Sequence, residues 1–440
     1  MEPHHTFSIV PPIVFGLTFV GIIFEKYEKS LLALLSAAVL IVAGYVTPEE
    51  AIEAINFETI ILLMSMMMLV EIAKQSGIFS WLNVRLVAST KGNPLAIYLV
   101  FSLLTAVLSA FLDNVTTILI VIPITIELFR GLGQNPKKII LAEIFMSNIG
   151  GTLTLIGDPP NIIIGGATGF SFNAFIENLW IPVLISITLI LSITVMQNWK
   201  DVKPIKHNCT KLLLSMMLLR RLRYRFVRMD LSTAFIVKVL SIMSLTILGF
   251  MLNSFHHVPA HIVALLGSTL LALLCTQNIC IHKVLQTVEW TTLLFFAGLF
   301  VLVAGVEHTG ILTNISLFIV NSTNNFALIL LLVLWVSGIV SMILDNIPFV
   351  TVMIPVIVGI QGNLAGQPHL DLLWWALALG TCIGGNGTMI GASANVIGVD
   401  LANKEGVHIS FLSYTKTALP LTLLALSISS AYILIRYFST

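Results

Sequence analysis

The sequence predicts an all-α integral membrane protein made of two inverted repeats of about five transmembrane helices, each with a re-entrant hairpin and a broken helix. Three observations lead there. Of 440 residues, 57% are hydrophobic and 10% charged, with a mean hydropathy of +1.00, whereas soluble domains carry about 25% charged residues. The apolar residues fall in blocks such as Leu31–Val46, Thr59–Val70 and Ile181–Val195, near the roughly 20 residues that cross a hydrocarbon core. Two polar motifs interrupt these blocks, and each occurs twice.

The repetition is direct. Leu112-Asp113-Asn114 through Pro123 returns as Leu344-Asp345-Asn346 through Pro355 with five identities in twelve positions, and Gly150 through Asn161 returns as Gly384 through Asn395 with six in twelve. Chance gives about one identity in such a window, so the chain is read as a duplication. The first repeat spans 1–199 and the second 231–440. Between them, 200–230 carries Lys203, Lys206, Lys211, Arg220, Arg221, Arg223 and Arg225, a basic linker that the positive-inside rule places in the cytoplasm.

In the first repeat, spans are expected near 9–24, 31–46, 58–74, 139–164 and 177–197, and the hairpin at about 95–130 adds an even number of crossings. An odd total turns the second repeat upside down, with its hairpin at about 326–360 and its broken helix at about 371–398. Lys26, Lys29, Arg85, Lys91, Arg130, Lys137 and Lys138 then fall on the cytoplasmic side, and Glu49, Glu50 and Glu53 outside.

Each interruption has a physical reading. Asp113, Asn114, Thr116 and Thr117 break a run of apolar residues, where an unpaired carboxylate or amide costs several kcal/mol. A hairpin turning at Asp113-Asn114 near the midplane presents these groups to a cavity, and Asp345-Asn346 is its mate; a sodium ion is a candidate near Asn114 and Asn346. The competing reading is an ordinary loop outside the membrane. In the second motif, Gly150, Gly151, Gly157 and the Pro159-Pro160 pair oppose a continuous helix. A break at mid-depth points bare amides of one half-helix and bare carbonyls of the other at the same place. Thr152, Thr154, Asp158 and Asn161 are expected to line the first break, and Gly384, Gly385, Asn386, Thr388, Gly391, Ser393 and Asn395 to form the second.

The repeats differ chemically. Asp158 aligns with Ala392, Pro159-Pro160 with Ser393-Ala394, and Thr116-Thr117 with Pro348-Phe349, so a coupling proton or cation is expected beside Asp158 and Asp113. Glu71 and Glu143, inside apolar helices, are relay groups or structural ones. The four cysteines form no CxxC pair and no metal spacing, no nucleotide-binding GxxxxGK[ST] occurs, and no HExxH or GxSxG supports an enzyme. No cofactor is expected beyond a coupling sodium ion or proton. A net charge of +1 gives no field for nucleic acid.

LDNVTT, SNIGGTLTLIGDPPN, LDNIPF and GGNGTMIGASANV together resemble the P protein (melanocyte-type) and arsenite-permease branch of the ion transporter superfamily, along nearly the whole chain. The resemblance implies a citrate-transporter-like fold, a homodimeric scaffold, and a transport domain of hairpins and broken helices that moves as an elevator. It implies a secondary transporter of an inorganic or organic anion, coupled to an ion or a proton. A sodium/proton antiporter and an anion conductance that affects organelle pH are the alternatives. Neither the substrate nor the choice between plasma and organelle membrane is decided by kinship. The resemblance places binding at Asp113, Asn114, Thr116, Gly150–Asn161, Asp345, Asn346 and Gly384–Asn395.

Overall fold

The computed structural model describes residues 9–23, 27–91, 93–199, 232–256, 258–323 and 325–439; the basic linker at 200–230 and Lys26 lie outside them. The first half runs through α1 (Val10–Ile23), α2 (Lys29–Val42), α3 (Pro48–Ala54), α4 (Phe57–Gln75), α5 (Ile78–Thr90), α6 (Pro94–Phe111), α7 (Asn114–Gly131), α8 (Lys137–Gly151), α9 (Pro159–Thr168) and α10 (Phe172–Gln197). The second half repeats that order: α11 (Thr233–His256), α12 (Ala260–Leu274), α13 (Ile281–Thr287), α14 (Trp290–Glu307), α15 (Ile311–Ser322), α16 (Phe326–Ile343), α17 (Asn346–Asn363), α18 (Leu372–Gly384), α19 (Ser393–Lys404) and α20 (Phe411–Ser439).

Among the described residues, eight helices are long and apolar enough to cross a membrane, and a ninth span is formed if α3 and α4, bent by 51° at their junction, count as one. Four of the eight are the arms of the two hairpins, α6–α7 and α16–α17. The protein is therefore a multi-pass integral membrane protein of helices.

Local chemistry explains where these helices start. Thr47 accepts a hydrogen bond from the Glu50 amide at 3.2 Å while Glu50 accepts one from the Thr47 amide at 2.8 Å, and Pro48 occupies the first turn of α3. Asn56 caps α4 through the Thr59 amide at 2.9 Å. Asn93 and Asn325 cap the first arm of each hairpin, at 3.2 Å to Leu95 N and 3.0 Å to Ala327 N.

The inversion is visible in how equivalent helices face each other. The start of α4 shares a cleft with the end of α14 (Asn56 with Val303 and Glu307), whereas its end shares another with the start of α14 (Glu71 and Lys74 with Glu289 and Thr292). These two helices hold the same place in their repeats and run antiparallel, as an inverted duplication requires. By contrast α2 and α14, from different places, run parallel: Gly298 abuts the backbone of Ala33 and Leu34, and Gly305 abuts Leu40.

The helix boundaries differ from the expected spans in several places. Lys29 already belongs to α2, which ends at Val42 and gives 14 residues, about 21 Å of helix; the rest of the expected 31–46 span is the turn at Gly44 (φ 76°) before α3. Helix α5 was absent from the expected spans because Asn83, Arg85 and Ser89 interrupt its apolar residues. Its counterpart α15, of 12 residues, packs on the second hairpin.

Candidate functional site

Asp113 has extended backbone (φ −64°, ψ 153°) and caps α7 by accepting from the Thr116 amide at 2.8 Å. Asp345 does the same for α17, through Ile347 N at 3.3 Å. The carboxylates thus end the turns of the two hairpins at the expected places. Each asparagine that follows turns into the protein. Asn114 Nδ2 donates to Asn148 Oδ1 at 3.1 Å and to Asp158 Oδ1 at 3.3 Å, and Asn346 Nδ2 donates to the same Asp158 oxygen at 3.4 Å. Both hairpin tips therefore meet at one carboxylate from the first broken helix.

The breaks lie at 152–158, between α8 and α9, and at 385–392, between α18 and α19. Helix α8 continues through Gly150 and Gly151, so the first glycine pair does not itself break the helix. Its role is close approach: a Cβ on Gly150 would collide with the backbone of Ala106 in α6, and one on Gly384 with the backbone of Gly338 in α16. This brings each half-helix against the first arm of its hairpin. Gly157 and Gly391 meet the backbones of Gly151 and Gly385 across their breaks in the same way.

Several residues expected to line the cavity hold the breaks together instead. Asn161 Nδ2 donates to Thr152 O at 2.9 Å and Thr154 O at 2.8 Å; Asn395 Nδ2 donates to Gly385 O at 2.7 Å and Thr388 O at 2.9 Å. Unwinding frees carbonyls that a buried site must satisfy, and each asparagine supplies the donors for its own break. The hydroxyl of Thr154 bonds Ala110 O, that of Thr388 bonds Met342 O, and that of Thr152 returns to Asn148 O at 2.8 Å. Thr116 and Ser393 do line the cavity, whereas Thr117 is buried behind it.

Asn148 joins the site without having been expected there. Its Nδ2 donates to Asn386 Oδ1 at 2.8 Å and Asn395 Oδ1 at 2.7 Å, tying the first half to the second. The 234-residue offset of the glycine motif pairs it with Cys382, whose thiol approaches Asn161 Oδ1 at 3.5 Å. Each half thus sends one side chain from the last turn of its half-helix to the other half's break. A polar residue two positions before the glycine pair was the available signal.

Asp158 is fully buried and stands at the N-terminus of α9, yet makes no capping bond to that helix. Its Oδ2 has no hydrogen-bond partner among the described residues. It lines a cavity of about 270 Å³ with Asp113, Asn114, Thr116, Asn346 and Ser393, bounded on one side by Lys29, Glu71, Lys74 and Glu289. The N-termini of α7, α9, α17 and α19 all border this cavity, so four positive dipole ends converge there. Asn114 and Asn346, where a sodium ion was expected, turn amide N–H groups toward Asp158, and N–H groups do not ligate a cation; the nearby group with an oxygen unpartnered among the described residues is Asp158, at Oδ2.

Lys29 was expected only as a topology marker on the cytoplasmic side; it points into the site. Its ammonium lies 3.1 Å from Asp345 Oδ2 and 5.3 Å from the centre of the Phe295 ring. Glu71 also lines the cavity, paired with Lys74 at 3.6 Å and accepting from Gln75 at 3.0 Å. Glu143 does not line it: the side chain is buried in α8 and accepts from the Thr125 hydroxyl at 2.6 Å.

Residues 19–380 match the family described as Citrate transporter. The chain is 34% identical over 435 residues to the 46 kDa membrane protein of Mycobacterium leprae, covering 98% of this chain and 99% of that one. It is 32% identical over 496 residues to the P protein of Mus musculus, covering 94% of this chain and 59% of the P protein. The fold resembles that of the YdaH transporter of Alcanivorax borkumensis, whose crystal structure is described as revealing an unusual topology: the TM-score is 0.56 with 15% identity and 98% of both chains covered.

Proposed function

The chain belongs to the citrate transporter family, and from its site we infer a secondary transporter that moves a small anion together with a proton or sodium ion. The observation that carries this reading is the unlike pair of half-helix N-termini. Helix α9 presents Asp158 to the cavity, with one oxygen unpartnered, while α19 presents Ala392 and Ser393 and no acid. A bare helix N-terminus favours an anion. A buried carboxylate with an empty oxygen favours a proton or a cation. The anion is therefore assigned to the α19 end and the coupling ion to Asp158 Oδ2.

The two hairpins, the broken helices, α10 and α20 form the moving body of an elevator, and α1–α4 with α11–α14 form the fixed one, which is also the surface for homodimerisation; α5 and α15 connect the two bodies. Support comes from the asparagine network, which binds both hairpins and both breaks into one unit. The cavity is bounded by the start of α2, the end of α4 and the start of α14. If the basic linker is cytoplasmic, as the positive-inside rule expects, these ends are cytoplasmic too, and in this reading the cavity faces inward.

A sodium/proton antiporter is the second reading, favoured by the charge around the cavity: Glu71, Asp113, Asp158 and Glu289 against Lys29 and Lys74. Flux into proteoliposomes under separately imposed sodium and proton gradients separates the two, with citrate and chloride as anion probes. Anion uptake driven by either gradient supports the first reading. Sodium-driven proton movement unchanged by either anion would replace it with the second.

A further inference from the structure

The Lys29 ion pair joins two parts of the protein that the transport cycle must separate. Lys29 opens α2, which packs along α14 in the fixed body, and Asp345 sits at the tip of the second hairpin in the moving one. The Lys29 side chain is 30% exposed and borders the central cavity, while both Lys29 and Asp345 border the adjoining cleft beside α1. Ser393, at the acid-free N-terminus of α19, faces both spaces.

We propose that Lys29 is an anion-contacting, specificity-determining residue, held by Asp345 while the site is empty and given up to the anion on arrival. This rests on the anion reading above. The chemistry of the pair suits exchange. Asp345 has a second anchor, the Ile347 amide at 3.3 Å and the positive end of α17, so losing the ammonium does not orphan the carboxylate. Lys29 has three N–H donors, and its other contact is the face of Phe295. Of the two ammonium groups at the cavity, Lys74 pairs with Glu71 on its own helix, whereas the partner of Lys29 lies on the element that must move. Glu289 and Glu28 also border the spaces that Lys29 faces, and with Asp345 they keep the ammonium within the mouth until an anion competes for it. Anion binding then removes the tie between hairpin tip and scaffold, so that the loaded carrier moves more readily than the empty one.

The test is the sign of two substitutions. Asp345→Asn keeps a good helix cap and frees the ammonium; Lys29→Gln removes it. For citrate or chloride uptake by the full chain in proteoliposomes, Asp345→Asn should lower the half-saturating concentration severalfold. Lys29→Gln should raise it about tenfold or more, Lys29→Arg should restore most of the loss, and the double variant should match Lys29→Gln alone. If both single variants shift anion affinity in the same direction, the pair is only a latch and the assignment fails while the anion reading stands. If the unaltered protein moves neither anion and exchanges sodium for protons, the anion reading fails and the assignment with it.

Discussion

The two broken helices share a scaffold and differ in charge. In both, an asparagine after the break, Asn161 or Asn395, donates to two carbonyls of the unwound segment. In both, a glycine before it brings the half-helix onto the hairpin backbone. At the end of the break the likeness stops, with Asp158 in one half and Ala392 in the other. Duplication supplies a frame in which freed backbone groups are satisfied twice by the same device, and divergence at the end of the break leaves an acid in one copy only.

The largest expected effect tests that divergence. Asp158→Asn keeps the size of the side chain and removes its charge. Coupled uptake in proteoliposomes should fall by about 100-fold or more, with the melting temperature in detergent little changed. Retained proton or sodium coupling would show that the asymmetry does not assign the coupling ion.

Next come the shared parts. Gly150→Ala and Gly384→Ala each drive a methyl group into backbone that cannot give way, so each should destabilise the protein by about 1–3 kcal/mol or more, read as thermal stability of the purified protein. A tolerated substitution at one site only would break the likeness of the two hairpins. Asn161→Ala and Asn395→Ala should both destabilise by about 1–3 kcal/mol, because each orphans two carbonyls; Asn395→Ala should lose more, since its Oδ1 also accepts from Asn148. Activity lost without any change in melting would return these amides to the substrate. The smallest effect lies outside the site. Thr47→Ala removes the capping box of α3 and should cost about 1 kcal/mol with transport unchanged, and an altered flux would extend the functional region to that turn.

Much of the architecture was legible in the chain. The expected hairpins at about 95–130 and 326–360 lie over the helix pairs at 94–131 and 326–363; an Asp-Asn pair in an apolar run calls for a turn that brings it to polar partners. The breaks were legible from proline and glycine. What those motifs do was less so. Gly150 reads as a helix breaker, yet it remains helical and serves a packing contact. Asn161 and Asn395 read as cavity residues, yet most of their hydrogen-bonding capacity is used within the breaks. Lys29 reads as a topology marker on the cytoplasmic side because its partner Asp345 is far away in sequence.

The sequence by itself determined the membrane fold, the duplication, the places where helices turn or break, and the acid present in one half alone. These follow from hydropathy, backbone chemistry and a count of identities, all properties of short stretches of chain. Only the tertiary structure decided which polar groups meet. It brought Asn114 and Asn346 to one oxygen of Asp158, tied Asn148 to the opposite half and put Lys29 in the cavity. The physical reason is that a hydrogen bond requires atoms about 3 Å apart, and for residues from opposite repeats that distance is set by how the repeats pack.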